Sequence, residues 1–150
     1  MNGMSDRFLY KAKRKDNGEW VKGYYSVTPK GRCHICNKCV NPPDSDPMWQ
    51  GVLITYEVDP STVCQCTGIK DKNGKLIWEN DILSAHFDSN YPDDVTYAKV
   101  AWKENGFRAI ENESVDFPYL LKEDCAEYWE NVGTFFDNPE LLEQEENDEN

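Results

Sequence analysis

Residues 62–78 read TVCQCTGIKDKNGKLIW, and this stretch decides the fold. At its centre, the dipeptide Asn73-Gly74 lies between segments that contain β-branched and aromatic residues. Asn and Gly both tolerate positive φ, the backbone conformation that tight hairpin turns require. The stretch therefore predicts an antiparallel hairpin in which residues 62–69 pair with residues 75–78.

The same turn signal recurs on both sides of this hairpin. Asn17-Gly18 joins residues 8–13 to residues 20–27, and Asn105-Gly106 joins a segment at 97–102 to one at 107–110. Three such hairpins in a short chain favour antiparallel sheet. We predict a mainly β protein, with a β-rich α+β protein as the alternative, in which antiparallel hairpins form a small barrel-like or sandwich domain.

Further elements are predicted beyond the hairpins. Residues 82–87 and 128–136 have the composition of strands. A short C-terminal helix is predicted after Asn138, because a capping Asn is followed by Pro at the first helical position and by an acidic residue in the first turn. Residues 118–127 predict a second short helix.

The length of 150 residues indicates one domain. We assign residues 1–138 to a single β-rich domain and residues 139–150 to the short helix and an acidic tail. Residues 28–50, rich in Pro and polar residues, predict a variable loop inside the domain, and residues 88–95 predict a polar connector.

Charge is concentrated at the end of the chain. The net charge is −12, yet residues 123–150 hold eleven acidic and no basic residues, while the first 122 hold seventeen acidic and sixteen basic residues. An acidic terminus is typical of a solvated tail. The near-neutral remainder lacks the basic surface that phosphate binding requires, which argues against nucleic acid as a partner.

No apolar run approaches the length of a membrane span, and the N-terminal MNGMSDRF lacks the apolar core of a signal peptide. We expect no membrane association and a location in the cytoplasm. The six cysteines are then expected to be mostly reduced.

The cysteines are the candidate metal ligands. Cys33 and Cys36 have C-x2-C spacing, and Cys64 and Cys66 form a C-x-C pair. A structural zinc ion requires about four ligands in a tetrahedron, which these four thiolates would supply. The alternative is that they are small core residues, since the spacing differs from that of a zinc ribbon. No other cofactor is expected.

Catalytic motifs are not recognisable in the sequence. The histidines are His34 and His86, and neither accompanies a nucleophile motif. The glycines are scattered at turns and do not form a phosphate-binding loop. We therefore expect a protein that is not an enzyme.

The run from Tyr56 to Leu83, YEVDPSTVCQCTGIKDKNGKLIWENDIL, resembles the YopX family of phage and prophage proteins. The opening FLYKAKRKDNGEWVKGYY at 8–25 and the closing ENVGTFFDNPELL at 130–142 are similar to that family's ends. The resemblance implies a small β-rich protein encoded by a phage or prophage, with no settled activity and no set of catalytic residues. Cys64 and Cys66 depart from the family, which more often has Gly and Tyr there.

The central run also has a physical interpretation as scaffold. Gly68 provides a backbone position without a Cβ, and Asn80 suits a left-handed residue that admits the chain to the next strand. Asp81 is then placed to bond backbone amides of that corner. We favour this interpretation over a ligand site.

The leading functional hypothesis is a non-enzymatic phage or prophage accessory protein that binds a host or phage protein. In one version of this hypothesis the protein also forms a homo-oligomer. Aromatic residues in excess of one small core are its candidate contacts: Tyr24, Tyr25, Tyr91, Tyr119 and Trp129. The alternative is a nucleotide- or nucleic-acid-binding protein, and in one version of this alternative zinc stabilises it.

Overall fold

The computed structural model describes residues 7–40, 52–111, 119–122 and 127–143. Within these ranges the chain is mainly antiparallel β-sheet with one helical turn near its C-terminal end, so the predicted fold class is confirmed. The residues fall into two compact units, which we call the N-terminal unit (7–65) and the C-terminal unit (from Cys66 onward). The assignment of residues 1–138 to one domain stays a prediction.

The N-terminal unit is an antiparallel sheet in the order β4-β3-β2-β1, joined at β1 by the first residues of β5. One face of the sheet carries the buried core, in which Ala12, Ile35 and Val58 are nearly inaccessible to solvent. A 3₁₀ turn at Pro60–Thr62 leads into β5. The strands are β1 (Tyr10–Lys13), β2 (Trp20–Val27), β3 (Cys33–Val40), β4 (Val52–Glu57) and β5 (Cys64–Lys70).

Strand β3 lies where the sequence predicts a loop over residues 28–50, so that prediction is wrong for residues 33–40. The segment CHIC alternates across the sheet, with Cys33 and Ile35 buried while His34 and Cys36 are only half-buried. Polar composition misled the prediction, because a strand with one exposed face tolerates polar residues at alternate positions. Residues 41–51 lie outside the described residues.

The C-terminal unit contains a five-stranded antiparallel sheet in the order β10-β9-β8-β7-β11, and the later part of β5 pairs with β6. Its core includes Ile77, Leu83, Val100 and Trp129. The two end strands do not pair with each other, so the described sheet is open and not a closed barrel. The elements are β6 (Leu76–Trp78), β7 (Asp81–Ala85), β8 (Thr96–Lys103), β9 (Gly106–Ile110), β10 (Tyr119–Leu120), β11 (Glu130–Thr134) and α1 (Glu140–Glu143).

The strands predicted at 82–87 and 128–136 are confirmed with shorter bounds, as is the C-terminal helix. The helix predicted over 118–127 is wrong at Tyr119–Leu120, which pairs with β9 as a short strand, and residues 123–126 lie outside the described residues. No helix among the described residues is long and apolar enough to cross a membrane.

All three Asn-Gly hairpins form, although their turns differ. In the first two, only the glycine takes positive φ, at +73° for Gly18 and +79° for Gly74. In the third, the positive values belong to Glu104 (φ +53°) and Asn105 (φ +65°), and Gly106 already pairs in β9. The third turn therefore lies one residue earlier than its Asn-Gly signal predicts.

Gly23 marks a close approach between β2 and β3. The register of β3 shifts between Cys36 and Lys38 in its pairing with β4. The Cys36 carbonyl group comes so near to Gly23 that a Cβ there would overlap the carbonyl oxygen. Glycine is required at this position because the obstacle is backbone, which cannot rotate away as a side chain can.

Substitution Gly23→Ala is expected to lower the free energy of unfolding by about 1–3 kcal/mol, because the added methyl group forces β2 and β3 apart. Urea denaturation followed by circular dichroism measures the change. The control is Ser26→Ala on the exposed side of the same strand, expected to stay within about 0.5 kcal/mol of wild type. Equal unfolding midpoints for Gly23→Ala and the control would contradict the close approach.

Candidate functional site

Asp71, in the second hairpin turn, is buried, and its carboxylate accepts three backbone hydrogen bonds. Oδ1 accepts from the N–H groups of Asn73 at 2.9 Å and Lys75 at 2.8 Å. Oδ2 accepts from the N–H group of Asn131 at 2.8 Å, sixty residues along the chain in β11. One side chain thus shapes the turn and attaches it to a distant strand.

Asp81, at the start of β7, is also fully buried. Its Oδ2 accepts from the N–H group of Trp78 at 2.8 Å and from the side-chain Nδ2 of Asn131 at 2.6 Å. Asn80 before it has φ +67°, so the predicted left-handed residue is confirmed. The predicted hydrogen bond, in which the Asp81 carboxylate accepts from a backbone amide of this corner, is also confirmed. Asn131 therefore bonds both carboxylates, one through its backbone and one through its side chain.

These contacts fix the position of β11 at one edge of the five-stranded sheet. Strand β11 pairs with β7 from Glu130 opposite Ser84 to Thr134 opposite Asp81, with a bulge between Asn131 and Gly133. Hydrogen bonds to backbone amides on both carboxylates are typical of a structural corner. The geometry agrees with the scaffold interpretation of the central run.

Large apolar side chains are exposed along this edge. Phe87 is 48% exposed and Tyr128 53% exposed, and their ring centroids lie 6.4 Å apart. Val132 in β11 is 37% exposed and Phe135 just after it is 40% exposed. Phe87 also rests edge-on against the buried ring of Trp129, with centroids 5.3 Å apart. We call Phe87, Tyr128, Val132 and Phe135 the aromatic edge.

Comparison with known proteins identifies the family. The sequence profile of the YopX protein matches residues 9–143 of this chain, which is most of its length. The chain belongs to the YopX family. The crystal structure of protein EF1440 from Enterococcus faecalis is similar, with a TM-score of 0.61 at 20% sequence identity, and the match covers 89% of this chain and 96% of that one. At that identity the likeness shows a shared fold. No curated protein matches the sequence.

The aromatic residues predicted as contacts have different locations in this YopX family member. Tyr24 is 62% exposed and Tyr91 is 66% exposed, whereas Tyr25 packs partly buried against the N-terminal core. Trp129 is buried and lies beneath Phe87. The side chain of Tyr119 lies outside the described residues.

Phe87 and Tyr128, the most exposed pair of the aromatic edge, were not predicted as contact residues. A signal for Tyr128 was present, because neighbouring residues of an extended segment point to opposite sides. If Trp129 is a core residue, the side chain of its neighbour Tyr128 must therefore point outward.

The two histidines lie in different units. His34 is half-buried on β3, where it pairs with Ser26 on β2 and Glu57 on β4. His86 is exposed immediately after β7.

The C-x2-C pair of this YopX family member lies on a strand and not on a turn. Cys33 and Cys36 are three residues apart on β3, so their side chains point to opposite faces of the sheet. Cys33 is buried with its Sγ 3.1 Å from the Tyr25 hydroxyl oxygen, while Cys36 is half-exposed. The hydrogen bond with Cys33, together with burial, raises the pKa of the Tyr25 hydroxyl.

The other two predicted ligands are also buried. The Cys64 thiol donates a hydrogen bond to the Thr62 carbonyl oxygen at 3.2 Å, and Cys66 begins the C-terminal unit. Across the described ranges, no group of three or more His, Cys, Asp or Glu side chains is placed to hold a metal ion. Structural zinc at Cys33, Cys36, Cys64 and Cys66 stays a prediction.

Thiol labelling of native protein separates the two cysteines of β3. We expect Cys36 to react with a maleimide well before Cys33, because only Cys36 has an accessible sulfur. Peptide mass spectrometry at successive times assigns each site, and a chromogenic chelator records any zinc released. Joint protection of both cysteines, lost together with release of one zinc ion per chain, would contradict this order and establish the metal site.

Substitutions at Asn131 test the network. Asn131→Asp is expected to destabilise the fold by about 2 kcal/mol or more beyond Asn131→Ala, because it sets a carboxylate against Asp81 where a donor stood. This extra destabilisation of Asn131→Asp over Asn131→Ala should shrink below about pH 4, where the introduced carboxyl group becomes protonated and can donate a hydrogen bond to Asp81. Denaturation at pH 7 and pH 4 measures both effects.

The control for this charge change is Asn90→Asp in an exposed loop, expected to leave stability within about 0.5 kcal/mol of wild type. If Asn131→Asp proved no worse than Asn131→Ala at pH 7, the amide would not bridge the carboxylates as described.

Proposed function

We propose that this YopX family member is a non-enzymatic phage or prophage accessory protein that binds a protein of the host or phage through its aromatic edge. The observation that carries the proposal is the exposure of four large apolar side chains in and around the edge strand β11. Val132 lies in β11, Tyr128 and Phe135 flank it, and Phe87 packs beside Tyr128. Aromatic residues are enriched in the centres of protein interfaces, where they bury large areas at small entropic cost.

The edge is rigid as well as apolar, which favours binding. The Asp71–Asn131–Asp81 network holds β11, and Trp129 supports Phe87 from below. A surface that is already ordered loses little conformational entropy on association. The partner can therefore bury this surface without any segment of this chain having to fold on binding.

The charge of the C-terminal unit indicates the partner's chemistry. From Cys66 to the end, the sequence holds twenty-one acidic and seven basic residues. Electrostatic complementarity then favours a partner whose apolar patch has a basic rim. The bulge in β11 disrupts regular strand pairing, so we assign the contact to side chains more than to an added strand.

The proposed location is the bacterial cytoplasm. Cys33 and Cys36 are free thiols, which supports a reducing compartment. Homo-oligomerisation through the aromatic edge is the second version of the proposal, in which the partner is another copy of the chain.

Affinity capture with edge variants tests the proposal. Wild-type protein is expected to recover a reproducible partner from bacterial lysate, and Phe87→Ser with Tyr128→Ser should lower its recovery about tenfold or more, because truncating aromatic anchors costs about 2 kcal/mol or more. Quantitative mass spectrometry measures recovery, and thermal melting verifies that the variant is folded.

The matched control is Tyr91→Ser, an exposed tyrosine of the same unit outside the aromatic edge. It should recover the partner as wild type does. Light scattering of the purified protein at several concentrations tests the second version of the proposal, in which the partner is another copy of the chain. A lysate that yields nothing reproducible from a monomeric wild type, or equal recovery by all variants, would overturn the proposal.

A further inference from the structure

Strand β4 of the N-terminal unit forms a long, regular sheet edge. The described sheets end at β4, β6, β10 and β11. Of these, β6 and β10 are described over only three and two residues, and β11 is interrupted by its bulge. Strand β4 runs for six residues, and the register shift in its pairing with β3 lies in β3, between Cys36 and Lys38. It is therefore the longest regular outer strand in the described part of the chain.

The residues of β4 do not protect this edge. Edge strands of natural proteins usually carry charged residues, proline or a bulge, which prevent another strand from pairing. Residues 52–56 read VLITY and contain neither a charge nor a proline. Leu53 is 61% exposed and Thr55 is exposed, whereas Ile54 and Tyr56 alternate with them and are half-buried. Residues of these types favour strand pairing.

Backbone hydrogen bonds at the end of β4 show which groups point outward. The Val58 N–H group donates to a carbonyl oxygen of β3 at 2.9 Å, whereas the Glu57 carbonyl oxygen points away from β3 and accepts from the Lys15 N–H group at 3.0 Å. Because these directions alternate along a strand, the backbone groups of Leu53 and Thr55 also point away from β3. Within the described ranges, no strand pairs with these outward groups.

We propose that β4 pairs antiparallel with β4 of a second copy of the chain, about a two-fold axis at Ile54. In this register Leu53 of each copy is opposite Thr55 of the other, and their outward N–H and C=O groups bond to each other. The two Ile54 side chains meet at the axis, where each covers the half-exposed surface of the other. Both copies contribute the same groups, so the contact closes as a dimer.

Two features favour a second copy in this register. An axis at Thr55 would require Leu53 of one copy to bond the Glu57 backbone of the other, but Lys15 already donates to that carbonyl group. The Lys15 Nζ atom also lies 3.2 Å from the Glu57 Oε1 atom, which holds the first hairpin turn at this end of the strand. Residues 7–65 hold nine Lys and Arg against six Asp and Glu, so two copies of the N-terminal unit repel each other only weakly.

The proposal does not rest on the aromatic edge, which belongs to the C-terminal unit. A contact between two strands is smaller than a standard protein interface, so we expect a dissociation constant of about 1–100 µM. Phe87→Ser with Tyr128→Ser should leave this dimer unchanged. Loss of the dimer in that variant would assign self-association to the aromatic edge and overturn the proposal.

Sedimentation velocity over a range of protein concentrations measures the dimer. Leu53→Lys with Thr55→Lys is expected to raise the dissociation constant about tenfold or more, because the register sets the introduced lysines of the two copies opposite each other. The matched variant is Leu53→Glu with Thr55→Lys, which sets opposite charges at the same positions. It should keep the dissociation constant within about threefold of wild type.

Cysteine cross-linking under mild oxidation tests the register. Ile54→Cys should join two copies, because residues at such an axis have Cα atoms about 4.5 Å apart. Thr55→Cys should not, because its two Cα atoms lie more than about 7 Å apart. Wild type gives the background from the native cysteines on a non-reducing gel.

Three outcomes would overturn the proposed dimer. The first is a wild-type protein that sediments as a monomer up to about 1 mM. The second is equal dimerisation by the two charge variants. The third is cross-linking of Thr55→Cys as readily as Ile54→Cys.

Discussion

Asn131 donates hydrogen bonds to two buried carboxylates, and the C-terminal unit depends on this contact. A buried carboxylate is costly unless donors reach its oxygens. Asp71 and Asp81 obtain some donors locally, from the backbone of their own turns. The remaining donors come from Asn131, sixty residues from Asp71 and fifty from Asp81. The hairpin and the closing strand therefore stabilise each other.

This constraint separates residues that stabilise from residues that face solvent. Asn131 points inward to the carboxylates, and its neighbour Val132 lies outward on the bulge. Just before β11 begins, Tyr128 is likewise exposed and Trp129 is buried. Substitutions on the outward positions can therefore change binding with little effect on folding, which is the condition for a surface that acts by contact.

Local signals in the sequence were sufficient for the hairpins and for the corner at Asn80. An Asn-Gly pair, or an Asn before a strand, acts through the backbone preferences of one or two residues, so its effect is readable without the rest of the fold. The third turn lies one residue earlier than predicted, because Glu104 adopts the positive φ that the Asn-Gly signal assigns to Gly106. Even there the strands paired as predicted.

Features that depend on distant residues were not readable. Strand β3 was missed because its polar residues, and the prolines before and after it in the sequence, suggest a loop, and only pairing with β2 and β4 makes it a strand. Once Cys33 and Cys36 lie on a strand, the spacing that suggests a zinc knuckle places them on opposite faces. The role of Asn131 is likewise invisible in ENVGTFF, since both carboxylates it satisfies are at least fifty residues away.

The excess of acidic residues in the C-terminal unit was likewise not readable, because a count along the chain does not follow the boundary between units. Its consequence is that binding at the aromatic edge has an apolar part and an electrostatic part that respond oppositely to salt. Burial of apolar surface persists or strengthens as salt is added, whereas attraction between this acidic unit and a basic rim on the partner is screened. A partner retained at high salt is therefore held mainly by apolar contacts, and one released by salt is held mainly by charge. One salt titration separates the two contributions before a substitution is made.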